Sequence, residues 1–550
     1  MSRLNLDILY DIVAEVARFD SKDSRAILLS LALSCRTVND SIRPILFSKV
    51  HWPHPNKHDA STGLLFFPEA LWPYFRTFHF DWPDHWPDAS PPRWGEKPGV
   101  SVYYPKHLDK LEDALPRMRN IHTFQLTCPF DPPTRLLRNL VCCTNITDLR
   151  ITDTPLTTLI LPTPPTSFNL THLTLTSVAE AVRMGEGPYD RRYQNIAYFM
   201  RGYRKKYLDR SGELSSTVGS VMFAAQRFFT ALCRTDCLQY LQLSALFIGV
   251  KELWNADWPC LQTLVLTGPP PAAFYDIAAL VGRIPRLKDL RVLLSTTKYA
   301  ETRPERGPFA MLARTEGAAP VPAAAYGQLT ALALSNAFNT KGVLKHTPSL
   351  RRLAVCAIMS PPRMPIALRN PEIEELMTEL EAGGGGENLV QIRLISEEDL
   401  DPKFFVKLRR VCPKLEVVEI ERCGYQEAQD PAEWADYGDA FATYEHLREL
   451  RVPMPFQGCE ELGHEHAQMN NNNPACTRAF RKPCASYLAS RIPSLRRVGL
   501  EYRARTMQRY EDRWLDFDIV RLHGGAHRVV ELGPSWYQFP EVWAPTTLHE

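Results

Sequence analysis

The sequence predicts an α/β solenoid, with parallel strands on a concave face, helices on a convex face, and a small all-helical module in front. Three observations predict it. A short apolar pattern returns along most of the chain, a Pro-x-Leu tripeptide stands at the start of several copies, and helical apolar spacing lies upstream of some of them. At 550 residues the chain exceeds what one hydrophobic core supports, so several cores or a repeat array are expected.

The pattern is apolar-x-x-apolar-x-apolar. It reads Ile121-Phe124-Leu126, Ile146-Leu149-Ile151, Leu170-Leu173-Leu175, Leu238-Leu241-Leu243, Leu261-Leu264-Leu266 and Leu287-Leu290-Val292. It continues as Leu329-Leu332-Leu334, Leu350-Leu353-Val355, Leu389-Ile392-Leu394, Leu415-Val418-Ile420, Leu447-Leu450-Val452 and Leu495-Val498-Leu500, with Phe75-Phe78-Phe80 as an earlier candidate member. Its last two apolar positions flank one residue, the alternation of a short strand with one buried face. Copies often start 21 to 26 residues apart, and longer steps mark insertions.

Pro-x-Leu opens five copies, at Pro259, Pro285, Pro348, Pro413 and Pro493. Helical spacing precedes two of these, over 273–284 and 404–411. Proline ends a helix and favours extended geometry before it, so each unit reads helix, stop, strand. Together the marks resemble a degenerate leucine-rich-repeat array over 74–500, the spacing falling in that family's range of roughly 20–29 residues. The Asn or Cys that usually follows the strand is mostly missing, with Cys423 its clean instance. Insertions are expected near 176–237, 295–328, 360–388 and 453–492. Residues 501–550 form a capping segment, with a hairpin about Gly524-Gly525.

Composition narrows the function. Hydrophobic residues make up 45% and charged residues 23% of the chain, which suits a folded protein. Lys+Arg number 64 against 62 Asp+Glu, a net charge of +2, so no overall field attracts a polyanion and nucleic acid is not an expected partner. No apolar run is long enough to span a bilayer, and the first residues lack a secretory apolar core. The 13 cysteines are then expected as reduced thiols of a cytoplasmic or nuclear protein.

At the start, Ile8, Leu9, Ile12, Val13 and Val16 mark one helix over 4–18. A second apolar cluster covers Ile27–Leu33, and a third segment ends at Arg43-Pro44-Ile45-Leu46-Phe47. These residues resemble an F-box: Leu4-Asn5-Leu6-Asp7-Ile8-Leu9 stands for the family's Leu-Pro-x-Glu-Ile-Leu, and the run 28–36 for its apolar stretch ending Ser-x-Arg. Asn5 replaces the usual Pro, and Val38 lies near where many members carry Trp. The resemblance covers about residues 3–50 of a helical module set at 1–50, followed by a linker over 51–73. It implies a substrate-recognition subunit of a Skp–cullin–F-box ubiquitin ligase. The module would bind a Skp-type adaptor, and through it a cullin, while the repeats bind a protein substrate. Leu4, Leu6, Ile8, Leu9, Ile12, Leu31 and Leu33 would contact the adaptor or underlie the contact. The alternative is a repeat scaffold without a ligase link, its helices only shielding the first repeat.

Residues between and beside the last two anchors point to the concave face. They are Thr123, Gln125, Thr127, Thr174 and Thr176 early, then Ala331, Ala333 and Ala354. Late units carry Arg352, Arg393, Glu419, Glu421, Glu449, Arg451, Arg497 and Glu501, and a charged partner segment is expected there unless the face is merely solvated. Other constellations carry less. Cys459, His464, His466, Cys476 and Cys484 fit no zinc spacing. The basic, tyrosine-rich stretch 191–210 is expected as a mobile or partner-binding flap. Gly383–Gly386 reads as a flexible loop without the Lys of a phosphate-binding turn, and Cys142-Cys143 and Cys233 with Cys237 as buried, inert thiols. No metal, cofactor or catalytic residue is expected, and the chain is read as a non-enzymatic adaptor.

Overall fold

The structure is a computed structural model. It describes residues 11–13, 15–16, 22–53, 66–81, 109–127, 134–152, 169–176, 229, 236–244, 255–268, 277–294, 324–335, 343–356, 367–397, 400–422, 434–454, 474–506, 509–537, 542–543 and 545–547. These fall into two compact units, those up to Gln242 and those from Leu243 onward.

The first unit opens on helices. Residues 11–13 and 15–16 are helical, followed by the helices Lys22–Ala32 and Arg36–Leu46. Val13, Leu28, Ala32 and Ile42 form their core, with Val16, Leu31, Val38, Ile45 and Leu46 packed around it. Leu28 and Ala32 are one turn apart, so they meet the same neighbours. The Asn39 side chain donates 3.1 Å to the Ala32 carbonyl and joins the two helices.

Five strands follow, β1 (Lys49–Pro53), β2 (Thr77–Asp81), β3 (Thr123–Thr127), β4 (Asp148–Thr152) and β5 (His172–Leu175), each parallel to the one before. The stretch read as a linker therefore begins with a strand, and the 3-10 turn Glu69–Tyr74 follows it with Trp72 buried. Val50 and Trp52 alternate too briefly to announce β1 beside His51 and Pro53, and burial against Phe78 and Phe80 settles it. A sixth strand, β6 (Tyr240–Ser244), falls where the units divide.

In the second unit β7 (Thr263–Gly268), β8 (Asp289–Leu294), β9 (Ala331–Ser335), β10 (Arg352–Cys356), β11 (Gln391–Ser396), β12 (Val417–Arg422), β13 (Glu449–Val452) and β14 (Arg497–Thr506) pair parallel in chain order. Leu264, Leu290, Leu332, Leu353, Ile392, Val418, Leu450 and Val498 stand side by side in that register. Direction then reverses. β15 (Arg509–Arg521), β16 (His527–Tyr537) and β17 (Pro545–Thr547) continue antiparallel from β14, and Gly525 takes φ +82° in the turn between β15 and β16. The expected hairpin is present and is part of a longer meander.

Every anchor of the twelve repeat copies is at most 2% exposed. The Pro-x-Leu signal has a local cause: Leu287, Leu350 and Leu495 donate their N–H to the carbonyls of Ile284, Thr347 and Ile492. Each proline thus takes the second place of a four-residue turn, where its fixed φ is favoured. A second regularity carries no residue signature. One carbonyl, two residues before the middle anchor, accepts the N–H groups of two successive residues of the next unit; Lys288 receives Thr330 and Ala331, and Glu416 receives Arg448 and Glu449.

The glycine run is packed rather than loose. It ends the helix Asn370–Ala382, which itself fills part of the presumed insertion 360–388. A Cβ on Gly383, Gly385 or Gly386 would stand within 2.9 Å of the backbone of Leu344, Thr347 or Val411, and Gly384 takes φ +66°. Another expected insertion, 453–492, contains the helix Pro474–Arg491. Among the described residues no helix is long and apolar enough to cross a membrane.

Candidate functional site

Two surfaces carry the residues singled out from sequence. The first is on the N-terminal helices. Leu4, Leu6, Ile8 and Leu9 lie outside the described residues. Ile12 is 45% exposed and Leu33 85% exposed, while Leu31 is half-buried against the core. The helix Lys22–Ala32 buries Ser24, Leu28 and Ala32 and exposes Ile27 and Leu29. Leu33 donates its N–H to the Leu29 carbonyl at 3.2 Å, so the two leucines sit one turn apart on one face. Among the described residues four of the seven exposed large apolar side chains fall between 12 and 33. Such a concentration on about twenty residues is unlike the scattered apolar exposure of an ordinary surface.

The second surface is the sheet face opposite the anchors in the second unit. Side chains alternate along a strand, so the residue between two anchors faces away from the core. In register these are Arg291, Ala333, Ala354, Arg393, Glu419, Arg451, Gly499 and Asp516. The last members alternate in sign. Arg393 lies 3.2 Å from Glu419 and pairs with Glu421. Arg451 grips Asp516 through Nε and a terminal nitrogen at 3.2 and 3.3 Å, and it also reaches Glu449 at 3.4 Å and Glu419 at 3.7 Å. Ser535 donates to Asp516 at 2.7 Å. Glycine at 499 makes the central grip possible, since a Cβ there would stand 2.6 Å from both Arg451 Cγ and Asp516 Oδ1.

Burial separates the eight expected contact residues. Arg393, Glu419, Arg451 and Glu501 are buried, and Arg451 is 1% exposed. Glu501 pairs with Arg422 at 3.0 Å. Arg393, Glu419 and Arg451 are engaged with one another and with Asp516 across the face, and Glu501 separately with Arg422, so all four have their charges met within the chain. Arg352, Glu421, Glu449 and Arg497 keep part of their side chains in solvent, Arg497 beside Asp518 at 3.2 Å. In the early units Thr127 and Thr152 hydroxyls meet at 2.7 Å, while Thr174 and Thr176 are buried.

Sequence reasoning missed three parts of the strand faces, each unit taken by itself. Asp516 comes from the antiparallel meander. Asp148 with Arg150, and Asp289 with Arg291, repeat the acid-Leu-Arg arrangement of Glu449-Leu450-Arg451, pairing at 2.8 and 3.0 Å. The acid and arginine are two apart on one strand face, and that signal was readable. The third part is Val542 and Trp543, which lie on the face and are buried there.

Among the described residues no group of three or more His, Cys, Asp or Glu could hold a metal ion. Cys459, His464, His466, Cys423, Cys233 and the basic stretch 191–210 lie outside the described residues, as does the Cys476 side chain. Cys142 is exposed rather than buried; burial pushes the Cys143 thiol up to about 11 and those of Cys412 and Cys484 up to about 12. Protonated thiols of this kind are poor nucleophiles. The searches for similar proteins returned no matching family model and no matching curated protein.

Proposed function

We propose that this chain is a substrate-recognition subunit of a Skp–cullin–F-box ubiquitin ligase, its N-terminal helices binding a Skp-type adaptor and its leucine-rich repeats binding a protein substrate. One observation carries the reading: the helical module leaves Ile12, Ile27, Leu29 and Leu33 exposed beside its own core. Desolvating such a surface favours association by about 25 cal/mol per Å² before entropic costs. The repeat face, with arginines and carboxylates interleaved, suits a protein surface of mixed charge better than a polyanion. The chain itself performs no chemistry in this reading. It works in the cytoplasm or nucleus by holding a substrate near the charged ubiquitin carrier, raising its effective concentration.

Co-purification of the full chain with a Skp-type adaptor tests this. A stoichiometric complex is expected for the wild type, and none for a Leu29→Asp, Leu33→Asp variant that keeps its unfolding transition. Absence of a complex with folded wild-type chain would leave a leucine-rich-repeat scaffold with no ligase link.

A further inference from the structure

Part of the face opposite the anchors is already occupied by the chain itself. The arrangement at Val542 and Trp543 resembles a bound peptide. The Trp543 indole lies under two guanidinium groups, with Arg352 Cζ 4.8 Å and Arg291 Cζ 5.8 Å from its ring centroid. Two neighbouring side chains read the main chain beside it. Gln391 Nε2 donates to the Trp543 carbonyl at 2.9 Å, and a terminal nitrogen of Arg393 donates to the Val542 carbonyl at 3.1 Å. Trp543 is 9% exposed and Val542 is buried.

All four readers stand on one face of three strands, at or next to the position between the anchors. Arg291 is on β8, Arg352 on β10, and Gln391 with Arg393 on β11. Their own charges are partly met elsewhere, Arg291 and Arg352 by Asp289 and Arg393 by Glu419 and Glu421. That pairing holds the guanidinium planes in place. An arginine fixed in this way can stack on an aromatic face and still direct an N–H at a carbonyl. Main-chain carbonyls belong to every peptide, so the selective element is the slot for an aromatic side chain. On the occupant's side the tether is short: the segment follows β16 and rejoins it through the three-residue strand β17.

We propose that Arg291, Arg352, Gln391 and Arg393 form a peptide-binding site, and that Val542-Trp543 is its intramolecular occupant. A partner protein displaces it by presenting an extended segment with an aromatic residue flanked by an apolar one. Cation–π contact and two carbonyl hydrogen bonds are then exchanged for equivalent ones, and the tethered segment sets the threshold a partner must exceed. The proposal rests on the part of the functional reading in which a protein docks on the repeats. It does not involve the adaptor, so either can fail alone.

The test uses the full chain and a fluorescent peptide Pro-Glu-Val-Trp-Ala-Pro, residues 540–545. A Trp543→Ala chain is expected to bind it at least tenfold more tightly than wild type, whose own segment competes. Trp→Ala in the peptide, or Arg393→Ala added to the chain, should remove most of that binding. Excess peptide added to wild type should speed amide hydrogen exchange at 542–543 while β10 and β11 remain protected. No binding to a Trp543→Ala chain that unfolds cooperatively would overturn the proposal. If that variant does not fold, unchanged exchange in the wild type at saturating peptide overturns it equally.

Discussion

At the scale of single residues, the row across the sheet face depends on partners rather than on individual charges. Arg451 and Asp516 are both buried, and neither would be tolerated alone, since an uncompensated buried charge typically costs about 3–5 kcal/mol. Gly499→Ala pushes a methyl group into both. The expected loss is about 3 kcal/mol in denaturant unfolding, while a midpoint within experimental error of wild type would mean that the pair does not need the gap. Cysteines provide a second measurement. Folding holds the Cys412 and Cys484 protons with thiol values raised from 9.0 to about 12. Because the folded value is the higher one, this contribution to stability is intact below pH 9 and is lost as pH rises from there towards 12. At pH 8.5, iodoacetamide should modify exposed Cys35 and Cys142 in the native chain and spare Cys412 and Cys484 until urea unfolds it. Equal labelling of Cys412 and Cys142 would contradict the burial.

At the scale of elements, what was legible in the sequence follows from what side chains record. The anchors of the repeats were legible because each buried position demands an apolar residue at fixed spacing, and Pro-x-Leu because proline suits one place in a turn. The carbonyl that accepts two N–H groups between successive units was not legible, because any residue can supply a backbone carbonyl. β1 escaped because two alternating apolar residues are too few to separate a strand from a loop. The glycine run misled for a related reason. Glycine appears both where a chain moves freely and where backbones come too close for a Cβ, and composition alone does not separate the two. Here Gly386 starts a turn with the Val411 carbonyl 2.5 Å from where its Cβ would be. Gly386→Ala should therefore cost about 1–3 kcal/mol, as overpacking does, read as a lower thermal midpoint. An unchanged midpoint would restore the loop reading.

At the scale of the whole molecule, the candidate surfaces differ in how far sequence could define them. Eight charged residues of the repeat face were found individually, whereas Asp289, Arg291 and Asp516 were not. Which of the eight stay accessible was not legible, because Arg451 is buried against Asp516 and Arg393 against Val542, partners distant in sequence. On the helices, Ile12 and Leu33 were named from the sequence and are exposed, Leu31 packs on the core instead, and the exposed Ile27 and Leu29 were not singled out. That exposed helical surface is central to the account, and its most direct test is calorimetric titration of a purified Skp-type adaptor into the full chain. The account predicts saturable one-to-one binding with a negative heat-capacity change from apolar burial, weakened at least a hundredfold by Leu29→Asp with Leu33→Asp. Absence of heat with the folded wild type, or equal affinity for the double variant, would contradict it.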